Sequence, residues 1–263
     1  MNKSDKQLIA YIEDLYDFRQ RIPAFLSKGK IEEVWDIKVK GGRYKDISDR
    51  QRGIINRKIS ILKDSLEWIV LKPFVQFIGV SGSVASEFVK EKDDIDLFIV
   101  TRNDTLWIYR LYLYFRNISK RRIRSRSKQS DVKDKFCVNF LTEERNLLLE
   151  NDMFNLNELL FLKPVYYSAF LSVIFLQNDW LREKYLVSRK FLRRESLKVG
   201  MLKTIMKRNC IFFIINLICF LLQVGYMVVM KHDPDIQRLV NGFRSGRVEF
   251  FPKGFREEKL GKT

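Results

Sequence analysis

A chain of 263 residues that is 46% hydrophobic, with only 12 glycines and 5 prolines, holds enough apolar material for one large core or two small ones, which excludes a disordered chain. Its 49 Lys+Arg against 32 Asp+Glu leave a formal charge of +17, a field that favours phosphate-rich partners such as nucleotides, nucleic acid or anionic lipid. One histidine, His232, and three cysteines without paired spacing, Cys137, Cys210 and Cys219, argue against a His base, a zinc site or a disulfide framework, and leave any chemistry to carboxylates. The odd cysteine count in a chain without a secretory leader points to a reducing, cytoplasmic compartment.

In chain order, Ser4 with Gln7 resembles a capping box, and Leu8, Ile12 and Leu15 recur at helical spacing, so a helix is expected from about Ser4 to Phe18. Beyond Pro23, Val34–Val39 reads as a short strand with Gly41-Gly42 as its turn, in what could be a small separate module. Ile55, Ile59, Leu62, Leu66 and Ile69 lie on one face of a helix that ends before Pro73, since proline disfavours helix at the residue before it. Phe74–Val80 is an apolar run of strand length, Ser81-Gly82-Ser83 a sharp small-residue turn, and Val84–Lys90 a short helix. Such a junction can hold phosphate, because backbone N–H groups at a helix start are unpaired, Gly82 permits close approach, and Ser83 adds a hydroxyl donor. The next run, Asp94–Val100, reads as a strand whose period of two puts Asp94 and Asp96 on one face, with Asp93 an exposed neighbour. Two converging carboxylates need a positive partner, and beside a phosphate site that partner is a hard ion, Mg²⁺ or Mn²⁺.

The following segment is strongly basic. Arg110, Arg116, Lys120, Arg121, Arg122, Arg124, Arg126 and Lys128 occur with no acid between Asp104 and Asp131, and Trp107, Tyr109, Tyr112, Tyr114 and Phe115 precede the densest part. Arg121, Arg122, Arg124 and Arg126 could hold RNA or another polyanion, with stacking on the aromatics. Equally, Trp107, Leu111 and Tyr114 are spaced as the core face of a helix, and Lys120–Lys128 reads as a solvated loop. Phe136–Thr142 is a third strand with Cys137 as a core filler, followed by Glu143 and Glu144 as a solvated loop or helix cap. Val165–Leu176, bounded by Pro164 and Asn178, reads as a core helix. Cys210–Met230 contains no charged residue and is long enough to span a bilayer. Ten basic residues in Arg182–Arg208, against Glu183 and Glu195, would then keep the central domain in the cytoplasm. Asn216 and Gln223 share a face of that helix, with Cys219 between them as a small filler and Gly225 and Tyr226 at its less apolar end, so membrane insertion, surface attachment and a buried helix all stay open.

Gly82-Ser83, ten intervening residues and then Asp94-Ile95-Asp96-Leu97 resemble the signature of the polymerase-β-type nucleotidyltransferase superfamily. Within it the chain is most similar to a little-characterised bacterial branch with a winged-helix-like N-terminal piece, echoed in Gly42-Arg43-Tyr44, Leu106-Trp107, Cys137-Val138-Asn139 and Asn178-Asp179-Trp180. The resemblance implies an α+β fold: a mixed β-sheet core at 73–150, a helical, winged-helix-like module at 1–72 and a helical region at 151–263. It also implies that Gly82 and Ser83 hold the triphosphate of an NTP and that Asp94 and Asp96 bind the metals for transfer of a nucleoside monophosphate to an acceptor. The superfamily usually adds a third carboxylate from a later strand, where this chain has Asn139, which can offer a carbonyl oxygen to a metal but is no base at neutral pH. Glu143 or Glu144 could substitute. The alternatives are a nucleotide-binding or membrane-tethered interaction protein without turnover, and an RNA-binding adaptor using Arg116–Lys128.

Overall fold

The computed structural model describes residues 3–21, 26–39, 47–124, 132–193, 210–230, 235–249 and 255–261. The chain is α+β, with helices before and after a five-stranded mixed sheet. Helix α1 (Lys3–Arg21) follows the expected spacing and turns Ile12, Leu15 and Phe18 inward. Helix α2 (Lys28–Trp35) starts on Ser27, whose hydroxyl accepts the Lys30 N–H, and buries Ile31, Val34 and Trp35. The expected strand at Val34–Val39 is therefore absent: its first two residues complete a helix that stops at Asp36 in the left-handed region (φ 53°). So short an apolar run fits either period, and the tertiary core chose the helical one. The Gly41-Gly42 turn and the Gly42-Arg43-Tyr44 echo lie outside the described residues.

Helix α3 (Asp49–Ile69) opens on a capping box of Ser48 and Gln51 and stops at Val70, before Pro73, as expected. Its inner face carries Ile55, Leu62 and Ile69 together with Lys58, Ser65 and Trp68, while Ile59 and Leu66 are half-buried. Strand β1 (Val75–Val80), the single-turn helix α4 (Gly82–Ala85) and strand β2 (Ile95–Thr101) follow. Helix α5 (Leu106–Lys120) carries the chain across the sheet so that β3 (Phe136–Glu143) can lie parallel to β2. α5 buries Leu106, Trp107, Tyr109 and Leu113 and leaves Tyr114 exposed, a rotation from the expected Trp107, Leu111, Tyr114 stripe. Tyr109 and Tyr112 give their hydroxyl hydrogens to the Ile69 and Trp68 carbonyls, which fixes the end of α3 against α5.

The sheet order is β4-β1-β2-β3-β5, and only the β2–β3 pair is parallel. β1 and β2 are covered on both faces, which explains their near-continuous apolar sequences. The edges come from the region expected to be helical: β4 (Lys163–Tyr166), which follows α6 (Met153–Phe161), and β5 (Arg247–Glu249). Strands of four and three residues carry too little pattern to be read from sequence, and Pro164 is tolerated because β4 is an edge. Because Val165 and Tyr166 belong to β4, the expected core helix starts later, as α7 (Phe170–Gln177). One-turn helices α8 (Trp180–Glu183) and α9 (Arg189–Leu192) follow, then α10 (Cys210–Val229), α11 (Ile236–Ser245) and α12 (Phe255–Leu260). Buried apolar residues from Ile12 to Val248 form one continuous cluster, so α1–α3 share their core with the sheet.

Asn178 ties the C-terminal helices to this core. Its amide donates to the Leu147 and Ile174 carbonyls (2.8 and 2.7 Å) and accepts from the Leu149 N–H and the Trp180 indole (2.8 and 3.1 Å). Asn178→Ala leaves buried backbone groups unpaired and should cost about 2–4 kcal/mol in urea denaturation. A loss below about 1 kcal/mol would show that water replaces the amide.

Candidate functional site

β1 delivers the chain into Ser81, which is extended, and Gly82, which takes φ +61° and begins α4. A Cβ built on Gly82 would lie 2.0 Å from Asp96 Oδ2, so only glycine fits both the backbone and the carboxylate against it. The Ser81 N–H also donates to the Asp96 carbonyl (2.9 Å). Turn and strand are thus one unit. The expected helix to Lys90 is not formed, because after Ala85 the chain runs through Glu87 at φ +66°. A one-turn helix has little dipole, so anion binding here depends on local N–H groups and the half-buried Ser83.

Asp94 and Asp96 do fall on one side of β2, and Cys137 joins them: one ligand atom from each of the three lies within 4.8 Å of the others. The β2–β3 register pairs Asp96 with Cys137 and Phe98 with Phe140, which leaves an extra residue on β3, and this bulge lets Asn139 also reach the site. Asn139 Nδ2 donates to Asp96 Oδ1 (2.5 Å), and its Oδ1 accepts from the Cys137 thiol (3.0 Å). Cys137 is therefore a half-buried site residue and not the expected core filler. Burial, then Asp96 and Asp94, push its thiol up to about 12, so at neutral pH it is a neutral thiol and no nucleophile.

Arg124 Nη1 donates to Asp94 Oδ2 (2.7 Å), and this hydrogen bond to Asp94 raises the arginine's pKa. A strap along the edge of β3 brings it there: Phe136 donates its N–H to the Arg122 carbonyl (2.7 Å), and the Arg124 N–H donates to the Phe136 carbonyl (2.9 Å). Of the four arginines singled out for polyanion contact, Arg121 and Arg122 are exposed, Arg124 is turned onto Asp94, and Arg126 lies outside the described residues.

Around Asp96 the carboxyl is held well above the usual carboxylate range, chiefly by desolvation, then by the charges of Asp94 and Glu158, with Arg124 in partial opposition. Sequence reasoning passed over Glu158. It lies on α6, where it accepts the Gly82 N–H and a hydrogen bond from Asn157 and faces Arg19; burial nevertheless pushes its carboxyl up to about 7. The available signal was a lone acid flanked by asparagine in an otherwise apolar helix, a pattern that burial must satisfy with partners. Arg19, fully buried, donates to Asn157 Oδ1 and the Ser86 carbonyl (both 2.7 Å), and its guanidinium carbon lies 3.8 Å from the Phe161 ring centroid. Desolvation lowers it to about 9, against the raising effect of Glu87 and Glu158.

Lys58, also fully buried, places the entry to β2 by donating to the Asp93 carbonyl (2.6 Å) and Asp134 Oδ1 (2.7 Å). Asp93 is half-buried and accepts the Lys90 N–H (2.8 Å). Glu143 does not converge on the site. It pairs with Thr101, five residues along β2 from Asp96, or about 16 Å at the usual strand rise. There it is buried, accepts the Leu106 N–H at the start of α5 (3.4 Å) and forms an ion pair with Arg145 (2.9 Å), so it is a cap and is not solvated. Glu144, half-buried beside it, is equally remote.

Comparisons with protein-family models, characterised proteins and solved structures give no match.

The geometry alone must then say what the site can hold. Two carboxylates side by side, one of them on the buried Asp96 whose ionisation is opposed by desolvation, suit a hard divalent ion. Arg124 and Asn139 occupy the contacts such an ion would take.

Glu158 gives a test by pH. A carboxyl whose folded pKa is raised favours the protonated native state, so its contribution is full below about 4.5 and is lost as pH rises to about 7. Glu158→Gln should therefore flatten the fall in urea-denaturation stability between pH 4.5 and 7. An unchanged slope would place the titration elsewhere.

Proposed function

We propose that the protein is a nucleotidyltransferase of the polymerase-β type that binds an NTP with Mg²⁺ or Mn²⁺ and transfers its nucleoside monophosphate to an acceptor. The observation that carries this reading is the packing of the Gly82 turn onto Asp96, with Asp94 beside it, which joins a tight Gly-Ser turn to a carboxylate pair. The nucleotide supply puts the reaction in the cytoplasm.

In this reading the Gly82-Ser83 turn orients the triphosphate through the Ser83 N–H and hydroxyl, the Gly82 N–H being held by Glu158, and Asp94 and Asp96 hold the metal. The bound ion supplies charge neutralisation at the transferring phosphoryl group and the leaving pyrophosphate. Arg124, released from Asp94, adds a cation beside the metal site. Glu158, with a proton affinity near neutral pH and its place beside Gly82 and Asp96, takes the acceptor's proton, a role that the Asn139 amide lacks. A second reading, metal-dependent nucleotide binding without turnover, draws support from the contacts that Arg124 makes to Asp94 and Asn139 to Asp96.

Incubation with each NTP, Mg²⁺ and candidate acceptors should release pyrophosphate, and Asp94→Ala or Asp96→Ala should reduce the rate at least about 100-fold. Turnover that survives both changes overturns the assignment; Mg²⁺-dependent NTP binding with no pyrophosphate favours the second reading. In a separate measurement, Asp96→Asn removes a desolvated like charge and should raise the melting temperature without metal by roughly 2–4 °C, for about 1 kcal/mol, while abolishing the Mg²⁺-dependent rise of the parent protein.

A further inference from the structure

Helix α10 is packed with its faces reversed. It has 20 uncharged residues with mean hydropathy 2.3, and only 22% of its most apolar window is buried. The residues it does bury are Asn216, Cys219, Phe220 and Gln223, a single stripe at helical spacing. Asn216 Oδ1 accepts the Trp107 and Ile108 N–H groups (2.8 and 3.4 Å) and so caps α5. Gln223 accepts from Arg110 Nη1 (2.8 Å) and donates to the Trp107 carbonyl (2.9 Å), and Phe220 meets Trp107 edge-on at 4.8 Å. Outward point Ile211, Ile214, Ile218, Leu221, Leu222 and Val229, each 50–76% exposed. A helix on a water-facing surface turns its polar stripe out and its apolar stripe in.

We propose that this outer face, with the adjoining end of α5, docks in the plane of an anionic lipid bilayer. The inference is independent of the nucleotidyltransferase reading. The α5 end belongs to the same surface: Tyr114 bonds Tyr226 of α10 through their hydroxyls (3.3 Å), and Tyr114, Phe115 and Ile118 are 46–61% exposed. Arg116, Lys120, Arg121 and Arg122 on that end are exposed too. Apolar residues beside a group of cations match the acyl boundary and headgroups of an anionic leaflet, where each cation near the surface is worth about 1 kcal/mol.

Two features select this occupant. α5 and α10 run parallel, pinned at Trp107–Asn216, Arg110–Gln223 and Tyr114–Tyr226, and α5 is held in the core by Trp107, Tyr109 and Leu113. A spanning α10 would have to leave α5 and take Asn216 and Gln223 unpaired into hydrocarbon, so it lies flat. A second copy of this chain is disfavoured as the cover because each copy carries +17.

The test is sedimentation of the full chain with phosphatidylcholine vesicles, with and without phosphatidylglycerol. The expected result is binding at least about tenfold tighter to the anionic vesicles, weakened by salt and fully released by a carbonate wash. Leu221→Glu with Leu222→Glu should abolish binding to both vesicles with an unchanged melting temperature, since both side chains face outward; Arg121→Glu with Arg122→Glu should remove only the anionic preference. The untouched chain tests the idea without any variant: absence of vesicle binding overturns it, and resistance to carbonate overturns the in-plane geometry. A vesicle-free dimer that the leucine changes dissociate would assign the face to a second copy. RNA binding that Arg121→Glu with Arg122→Glu lowers, in a chain that ignores vesicles, would assign the cations to nucleic acid.

Discussion

The carboxyl of Asp96 is pressed against the bare Cα of Gly82, within reach of Asp94 and Glu158, in a place too dry for a second negative charge. Each neighbour can be understood as an answer to that crowding. The glycine leaves room, the bulge in β3 admits the Asn139 amide, and the strap beside β3 brings a guanidinium to Asp94. The sheet supplies the rigidity on which these contacts depend, because β1 and β2 are buried on both faces and leave Asp96 little freedom to withdraw.

Two buried cations serve the same arrangement from outside it. Arg19 reaches from α1 to Asn157 and Ser86, joining the N-terminal helix, the end of the Gly82 turn and α6, while Lys58 reaches from α3 to the turn that precedes Asp94. Buried ion pairs are weak sources of net stability, since desolvation cancels much of the attraction. What they supply here is position. Helices α1 and α3 contribute one buried cation each to the frame of the site, and all three N-terminal helices share its core.

Much of this was legible in the sequence, and the failures have physical causes. The order of strand, Gly-Ser turn and acidic strand was readable because it is local: Asp94 and Asp96 share a face by backbone period alone. α3 was readable from the helical spacing of Ile55, Leu62 and Ile69 and from Pro73. Glu158 was not, because its partners Gly82 and Arg19 are far away in sequence, and no local pattern announces that a helix will bring a carboxylate to them. The role of Cys137 depended on its pairing with Asp96, and that of Glu143 on which end of a parallel pair it occupies, both matters of register. The α5 stripe was misjudged because a helix covered by the sheet and α3 on one side and by α10 on another does not have the single buried face that a spacing argument assumes.

The reversed packing of α10 has a colloidal consequence. In water its outer face is an association surface on a molecule whose net charge keeps copies apart, and the two influences respond to ionic strength in opposite ways. Salt shortens the reach of the repulsion, to about 8 Å at physiological strength, but leaves apolar attraction intact. If the basic residues hold anionic surfaces, the salt that weakens that hold is also the salt under which copies of the protein repel one another least. A buffer for handling it needs low salt or an amphiphile, and cannot rely on high salt to keep it clean of polyanions.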